Sequence, residues 1–403
     1  KAFEWYHLSA EQGIADAQNS LAIAYHYGLS VPVNHAEAEI WYQLAVEQNH
    51  EGAHTNLGSL YVELGRYLEA EPLLLEALRS LENGLPENFS SALNNLARLH
   101  FEQGRYSEAE TLFSRSLEIK EEVFGLSHPQ VASSLMNLAT LHAKLMRHSD
   151  AEGLYLRAIS ILQLESSSDK NLLAAAQNNL ANVYMDQGLY QKSEILLKES
   201  IDLIEQQFGG DSSQLASRLQ NLAQTYVKQQ RYSDALPVLQ KSLVINRKFL
   251  GPKHDDVARN LETLGSLYLN LGQYSASEES LQQSLAIREE LLGVTHPDAM
   301  TSMHALARLN LLTSKYDVAL SYIRKLDDAI KNRFSDYTLQ SNTSLGSEQS
   351  ILERQLLLHV ALALHPQQIG DPLALKTEAF EAAQLAQASA TSDIISQMAI
   401  RFS

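Results

Sequence analysis

No cysteine occurs in the 403 residues, which excludes a disulfide framework, a thiolate zinc site, an iron–sulfur cluster and a cysteine nucleophile from this sequence. Helix breakers are scarce. The 9 Pro and 18 Gly are roughly half the usual combined frequency, which favours an all-helical chain. Cations are short too, with 31 Lys and Arg against 48 Asp and Glu and a formal net charge of −17. A surplus of carboxylates repels phosphate arrays, so neither nucleic acid nor an anionic membrane surface is expected as partner. The longest strongly apolar stretch, 356–364, is too short to cross a bilayer and carries His359. No signal peptide is visible and a cytoplasmic location is expected. The chain opens with Lys1 and Ala2 inside a helical pattern, so it reads as a piece of a longer protein whose targeting signals would lie outside it.

What is present is periodicity. Leu96, Leu138, Leu180, Leu222, Leu264 and Leu306 recur every 42 residues. Tyr106, His148, Tyr190, Tyr232, Tyr274 and Tyr316 follow ten positions later, and Ala109, Ala151, Ser193, Ala235, Ser277 and Ala319 three after that. Each unit predicts two amphipathic helices around a tight turn, as in 92–103, Gly104 with Arg105, and 106–121. The small residue permits close approach of the helices while the Leu and Tyr rows fill the gap between them. With 45% apolar residues such pairs bury their faces by stacking on one another.

The segment LNNLARLHFEQGRYSEAETLFSRSLEI, residues 93–119, resembles a tetratricopeptide repeat of the 42-residue kinesin-light-chain type. The linkers agree: Gly125, His128, Pro129 and Val131 recur as Gly293, His296 and Pro297, and partly as Gly251, His254 and Val257. This resemblance covers about 65–331 and implies an all-α, right-handed α-solenoid of stacked helix pairs. Ahead of it the interval is 36, with Trp5 and Tyr6 recurring as Trp41 and Tyr42, Ala17 as Ala53, Leu21 as Leu57 and Tyr25 as Tyr61. Residues 1–64 are similar to Sel-one-like repeats.

After Lys331 the phase is lost, and 335–350 is rich in Ser, Asn and Thr. Residues 332–350 are expected to be a polar linker, and 351–403 a C-terminal helical segment with helices near 351–364 and 372–389. The tail FEAAQLAQASATSDIISQMAIRF, residues 380–402, resembles the segment that joins tetratricopeptide arrays to a caspase-like CHAT protease domain in bacterial proteins. That implies a protease beyond Ser403 and no catalytic site within this chain, together with intramolecular contact between the array and the protease.

Other chemistry is weakly signalled. His50, Glu51, Gly52, Ala53 and His54 spell H-E-x-x-H, but the repeat register puts them across a loop and a helix start, unlike a zincin helix. His128, His254 and His296 sit one to a linker and are expected to hydrogen-bond within the turn. Gly209 and Gly210 lack the lysine of a P-loop. No cofactor or metal is expected.

The informative constellation is a ladder, Asn56, Asn95, Asn137, Asn179 and Asn221, each one residue before a phased Leu. In the resembling family the first helix of each pair lines the concave face. An Asn amide both donates and accepts, which suits it to the backbone of an extended peptide. Asn bonding within the array is the competing reading. Ser133, Ala175 and Ser217 lie one turn earlier and Thr140, Asn182 and Gln224 three residues later. The expected groove is therefore polar, largely uncharged in its middle, with Arg98 at one end and Arg259 and Arg308 at the other. Kinesin light chains bind acidic peptides carrying Trp, which the negative charge here disfavours. The expected function is a non-enzymatic module holding a protein or peptide segment, as the sensor and substrate-recruiting arm of a CHAT protease. A stand-alone assembly scaffold is the alternative.

Overall fold

The computed structural model describes residues 2–82, 84–164, 170–337 and 375–377, and these are helices joined by short turns with no strand among them. The chain divides into two units, Lys1–Leu203 and Ile204–Ser403. The first holds α1 (Ala2–Glu11), α2 (Ala15–Tyr27), α3 (His35–Glu47), α4 (Glu51–Glu63), α5 (Tyr67–Leu81), α6 (Pro86–Glu102), α7 (Tyr106–Phe124), α8 (Pro129–Lys144), α9 (His148–Leu164) and α10 (Lys170–Asp186). The division falls within α11 (Tyr190–Phe208). The second unit continues with α12 (Ser213–Lys228), α13 (Tyr232–Leu250), α14 (Asp255–Asn270), α15 (Tyr274–Leu292), α16 (Pro297–Leu312) and α17 (Tyr316–Tyr337). Each unit is a stack of antiparallel pairs in which a helix packs on the one before and the one after it. α17 continues through 332–337, the start of the expected linker at 332–350; the rest of that linker, and 351–374 and 378–403 of the expected C-terminal helical segment, lie outside the described residues.

The periodic rows explain the packing. Leu96, Leu138, Leu180, Leu222, Leu264 and Leu306 are all buried, and Ala109, Ala151, Ser193, Ala235, Ser277 and Ala319 have no exposed surface at all. A methyl or hydroxymethyl group at that position lets the second helix of each pair seat against the first. The tyrosine row meets expectation only in part, with Tyr106 and Tyr316 half-buried against the core. It opens the second helix of each pair, and Tyr274 is 47% exposed. A side chain in the first helical turn lies at the rim of the interface, so these rings cover the edge of the core rather than fill it.

Buried hydroxyls fasten the pairs. Ser116 Oγ donates to the Ser90 carbonyl at 2.8 Å and Ser200 Oγ to that of Ala174 at 2.6 Å. In the second unit Ser242 donates to Ala216 and Ser284 to Ala258, at 2.7 and 2.8 Å. Each bond joins residues 26 apart and is worth about 1 kcal/mol net. The first helix also runs longer than its sequence pattern: α6 begins at Pro86 rather than residue 92. Proline at N1 lacks only an N–H that the helix start would leave unpaired, and Pro129 and Pro297 open α8 and α16 in the same way.

Two features break the local rules. The turn within each pair requires a left-handed residue, met by Gly104, Gly188 and Gly272 but also by Met146, Gln230 (φ 61°) and Ser314. Deep in the second unit, Arg288 is 3% exposed. Its Nη1 donates to Glu262 Oε2 at 2.6 Å, to Ser302 Oγ at 2.9 Å and to the Asp298 carbonyl at 3.0 Å. Burial pushes the Glu262 carboxyl above its ordinary value, and Arg288 offsets only part of that.

Gln230→Gly is expected to stabilise the chain by about 1 kcal/mol, because glycine carries no Cβ penalty at positive φ. A raised urea midpoint with unchanged helicity is the expected reading. Arg288→Met is expected to cost about 3–5 kcal/mol by leaving Glu262 buried without a counter-charge. Adding Glu262→Leu should then restore most of the loss in the same titration, since no uncompensated charge remains.

Candidate functional site

The reach of the side chains that join successive pairs identifies the inner face of each unit. Even-numbered helices are linked by short amides: Asn56 Nδ2 of α4 donates to Asn19 Oδ1 of α2 at 3.0 Å, and Asn137 Nδ2 of α8 to Asn94 Oδ1 of α6 at 2.7 Å. On the other side only long side chains bridge the gap. Arg66 reaches Glu39 at 2.8 Å, Arg105 reaches Glu71 at 2.7 Å and Arg147 reaches Glu110 at 2.8 Å. In the second unit Lys315 reaches Glu278 at 2.8 Å. Even-numbered helices also touch one another in both units, α4 with α6 and α8 with α10 in the first and α12 with α14 and α14 with α16 in the second, so they line the tighter, inner side of each stack.

All the ladder positions fall on these inner helices. Asn56, Asn95, Asn137 and Asn179 belong to the first unit and Asn221 to the second, each half-buried. They are not equivalent in their bonding. Asn56 and Asn137 each spend a donor on the preceding rung. Asn179 accepts from Asn178 Nδ2 at 3.3 Å and hydrogen-bonds the buried Tyr155 hydroxyl, which also meets Thr140 Oγ1 at 2.7 Å. Asn182 Oδ1, one turn on, is buried without a partner. Gln224 is half-buried on α12. The bonded amides thus tie rungs together, while Asn95 has no hydrogen bond among the described residues.

Two of the three arginines expected to charge the ends are already engaged. Arg98 lies 3.7 Å from Glu63 and 3.5 Å from Ser59 Oγ. Arg259 pairs along its own helix with Asp256 at 2.8 Å and Asp255 at 3.1 Å. Arg308 is exposed, and its charge joins burial in holding the His304 imidazole below its ordinary value. The alignment missed Asn19 and Asn94, the acceptors of the inter-rung bonds, because they lie off the phased column. It also passed over a row seven residues past the ladder, Glu102, Lys144, Asp186 and Lys228, which was legible from the same interval.

At the start of the array a buried relay closes the inner face. His26 is 3% exposed and lies between Tyr42 Oη at 3.2 Å from Nδ1 and Glu63 Oε2 at 3.0 Å from Nε2. Burial raises the Tyr42 phenol far above its ordinary value, so it stays protonated and donates to Nδ1, which leaves Nε2–H to donate to Glu63. That hydrogen bond holds the Glu63 carboxyl below its ordinary range, against the opposing effect of burial. The imidazole is too enclosed to meet a substrate, so the relay orients Glu63 rather than performing acid–base chemistry on a ligand.

Four other histidines cap helices. His50, His128, His254 and His296 Nδ1 each accept from the backbone N–H two residues on at 3.2 Å. His50 also turns Nε2 towards Asp16 Oδ1 at 3.0 Å, so the H-E-x-x-H string is a helix start. Among the described residues no group of three or more His, Asp or Glu is placed to hold a metal ion. Nor is any described helix long and apolar enough to cross a membrane.

Comparison with known proteins agrees with this geometry. Residues 88–163, 172–248, 221–290 and 256–326 match the tetratricopeptide repeat family, and a further tetratricopeptide repeat matches 55–88. Residues 1–14 and 15–50 match the Sel1 repeat. No curated protein matches the sequence. Among solved structures, BtubC (BKLC) from P. vanneervenii is similar over 59% of this chain and 95% of its own, with 20% identity and a TM-score of 0.51. The apo form of RapI is similar over 71% of this chain and 99% of its own, at 16% identity and TM-score 0.53. A Rap protein complexed with Competence and Sporulation Factor is similar over 82% and 97%, at 14% identity and TM-score 0.50. At these identities the likeness is one of fold.

Glu63 contributes stability that is present above the ordinary carboxyl value of 4.5 and is lost as pH falls through its depressed folded value. Glu63→Gln is accordingly expected to lower the urea midpoint at about pH 7 and to flatten its decline below about pH 4.5. Identical acid limbs for the two proteins would contradict the relay.

Proposed function

The chain belongs to the tetratricopeptide-repeat family, a non-catalytic protein-interaction fold, and on that premise we propose that its inner face binds an extended peptide or protein segment. The observation that carries the proposal is the asparagine ladder on the inner helices, with Asn95 half-buried and without a hydrogen bond among the described residues. An extended segment presents unpaired N–H and C=O groups at short intervals, and amides on successive helices meet them without demanding a particular side chain. Each contact is worth about 1 kcal/mol net, so recognition requires several rungs together. The site residues are Asn95, Arg98, Asn137, Asn179 and Asn182 in the first unit and Asn221, Gln224, Arg259 and Arg308 in the second. The Rap fold seen with Competence and Sporulation Factor is a precedent for an array of this kind holding a partner.

The second part of the proposal gives the array a larger setting. Residues 380–402 resemble the segment preceding a CHAT protease domain, which supports a role as its sensor and substrate-recruiting arm. Partner binding would shift the array between two arrangements and so reposition the protease. A scaffold without a protease is the alternative, and the intact mass of the native polypeptide separates the two: a product ending near Ser403 excludes the protease arm.

For the binding face, peptides selected from a random display library against the whole chain are expected to lose binding to the Asn95→Ala/Asn137→Ala/Asn179→Ala variant by tenfold or more, roughly 1.4 kcal/mol or above. Far-UV circular dichroism should stay unchanged. Retained binding by a folded triple variant would overturn the inner-face assignment.

A further inference from the structure

Resting on the inner-face reading, we propose that the first unit selects a protein segment in which an acidic side chain is flanked on both sides by basic ones, through the row Glu102, Lys144 and Asp186. These residues end α6, α8 and α10, the inner helices of three successive pairs. Each lies seven residues past its ladder asparagine, two helical turns along the same face. All three are exposed, and none has a hydrogen bond or ion pair among the described residues. Arg66, Arg105 and Arg147, which bridge the outer side of the same unit, are each bonded to a carboxylate across the gap between pairs. The charges that hold the array together are thus neutralised, whereas the charges of the inner row are left for a partner.

The alternation of sign fixes the chemistry of that partner. A lysine between two carboxylates is matched by basic, acidic, basic in order, a segment with an excess of one positive charge. That excess also suits a chain of net charge −17, which repels uniformly acidic segments. The spacing follows from the packing. Side chains of neighbouring inner helices touch, as Asn137 and Asn94 do at 2.7 Å, so their axes lie about 10 Å apart. An extended chain advances about 3.3 Å per residue, which puts successive charges about three residues apart.

Two fluorescein-labelled peptides about twelve residues long supply the test, with charges about three residues apart on a polar, uncharged background. One carries Lys, Glu, Lys in order. The other has the same composition in the order Lys, Lys, Glu, so that long-range attraction to the acidic chain is equal. Fluorescence anisotropy with the full chain at low salt is expected to show the alternating peptide binding roughly tenfold more tightly. The difference should vanish near 1 M salt, where screening acts within about 3 Å. Lys144→Glu is expected to abolish or reverse the preference. Equal binding of the two peptides, no binding of either, or a preference that survives Lys144→Glu overturns the charge row. The Asn95→Ala/Asn137→Ala variant separates this from the reading beneath it. If that variant loses both peptides while Lys144→Glu changes neither, the inner face stands and the charge row falls; if it keeps both, the inner-face reading falls as well.

Discussion

A pair of amphipathic helices has more apolar surface than it can cover by itself, and everything else in this protein follows from that constraint. Within each unit successive helices pack on one another, as α8 does on α7 and α9 and α14 on α13 and α15. A repeat is therefore completed only by its neighbours, and the phase of 42 residues keeps Leu180, Ala151 and their equivalents opposite one another. Stability in such a stack is local, so a buried irregularity such as Arg288 with Glu262 is met by partners on adjacent helices and leaves the rest of the array in register.

The same constraint sorts the polar residues. Where inner helices approach, short amides meet directly, as Asn137 and Asn94 do. Where the outer helices diverge, an arginine is needed to reach the next pair, as Arg147 does to Glu110. Ion pairs thus bridge the outer side of the first unit, and amides link its inner helices.

Residue types that suggest chemistry in other folds take structural duties here. The imidazoles of His128, His254 and His296 stand where Ser or Asp commonly caps a helix, each accepting a backbone N–H through Nδ1. His26 orients Glu63 from inside the core. Met146, Gln230 and Ser314 occupy left-handed turn positions that glycine fills in the alternate repeats, so the turn geometry is imposed by packing strongly enough to override local preference.

The repeat interval, the helix pairs, the buried Leu and small-residue columns and the capping histidines were legible in the sequence, because each is a local pattern repeated until chance is excluded. The tyrosine column was legible only in part, with Tyr106 and Tyr316 packed against the core and Tyr274 exposed, since periodicity marks a structural role without distinguishing the centre of an interface from its rim. What each asparagine does was decided only by tertiary structure. Asn137 and Asn95 occupy equivalent positions in the sequence, yet Asn137 spends a donor on the preceding rung, whereas Asn95 has no such bond. The difference depends on whether a neighbouring helix offers an acceptor within hydrogen-bond reach, a distance between residues 43 apart that no local pattern encodes.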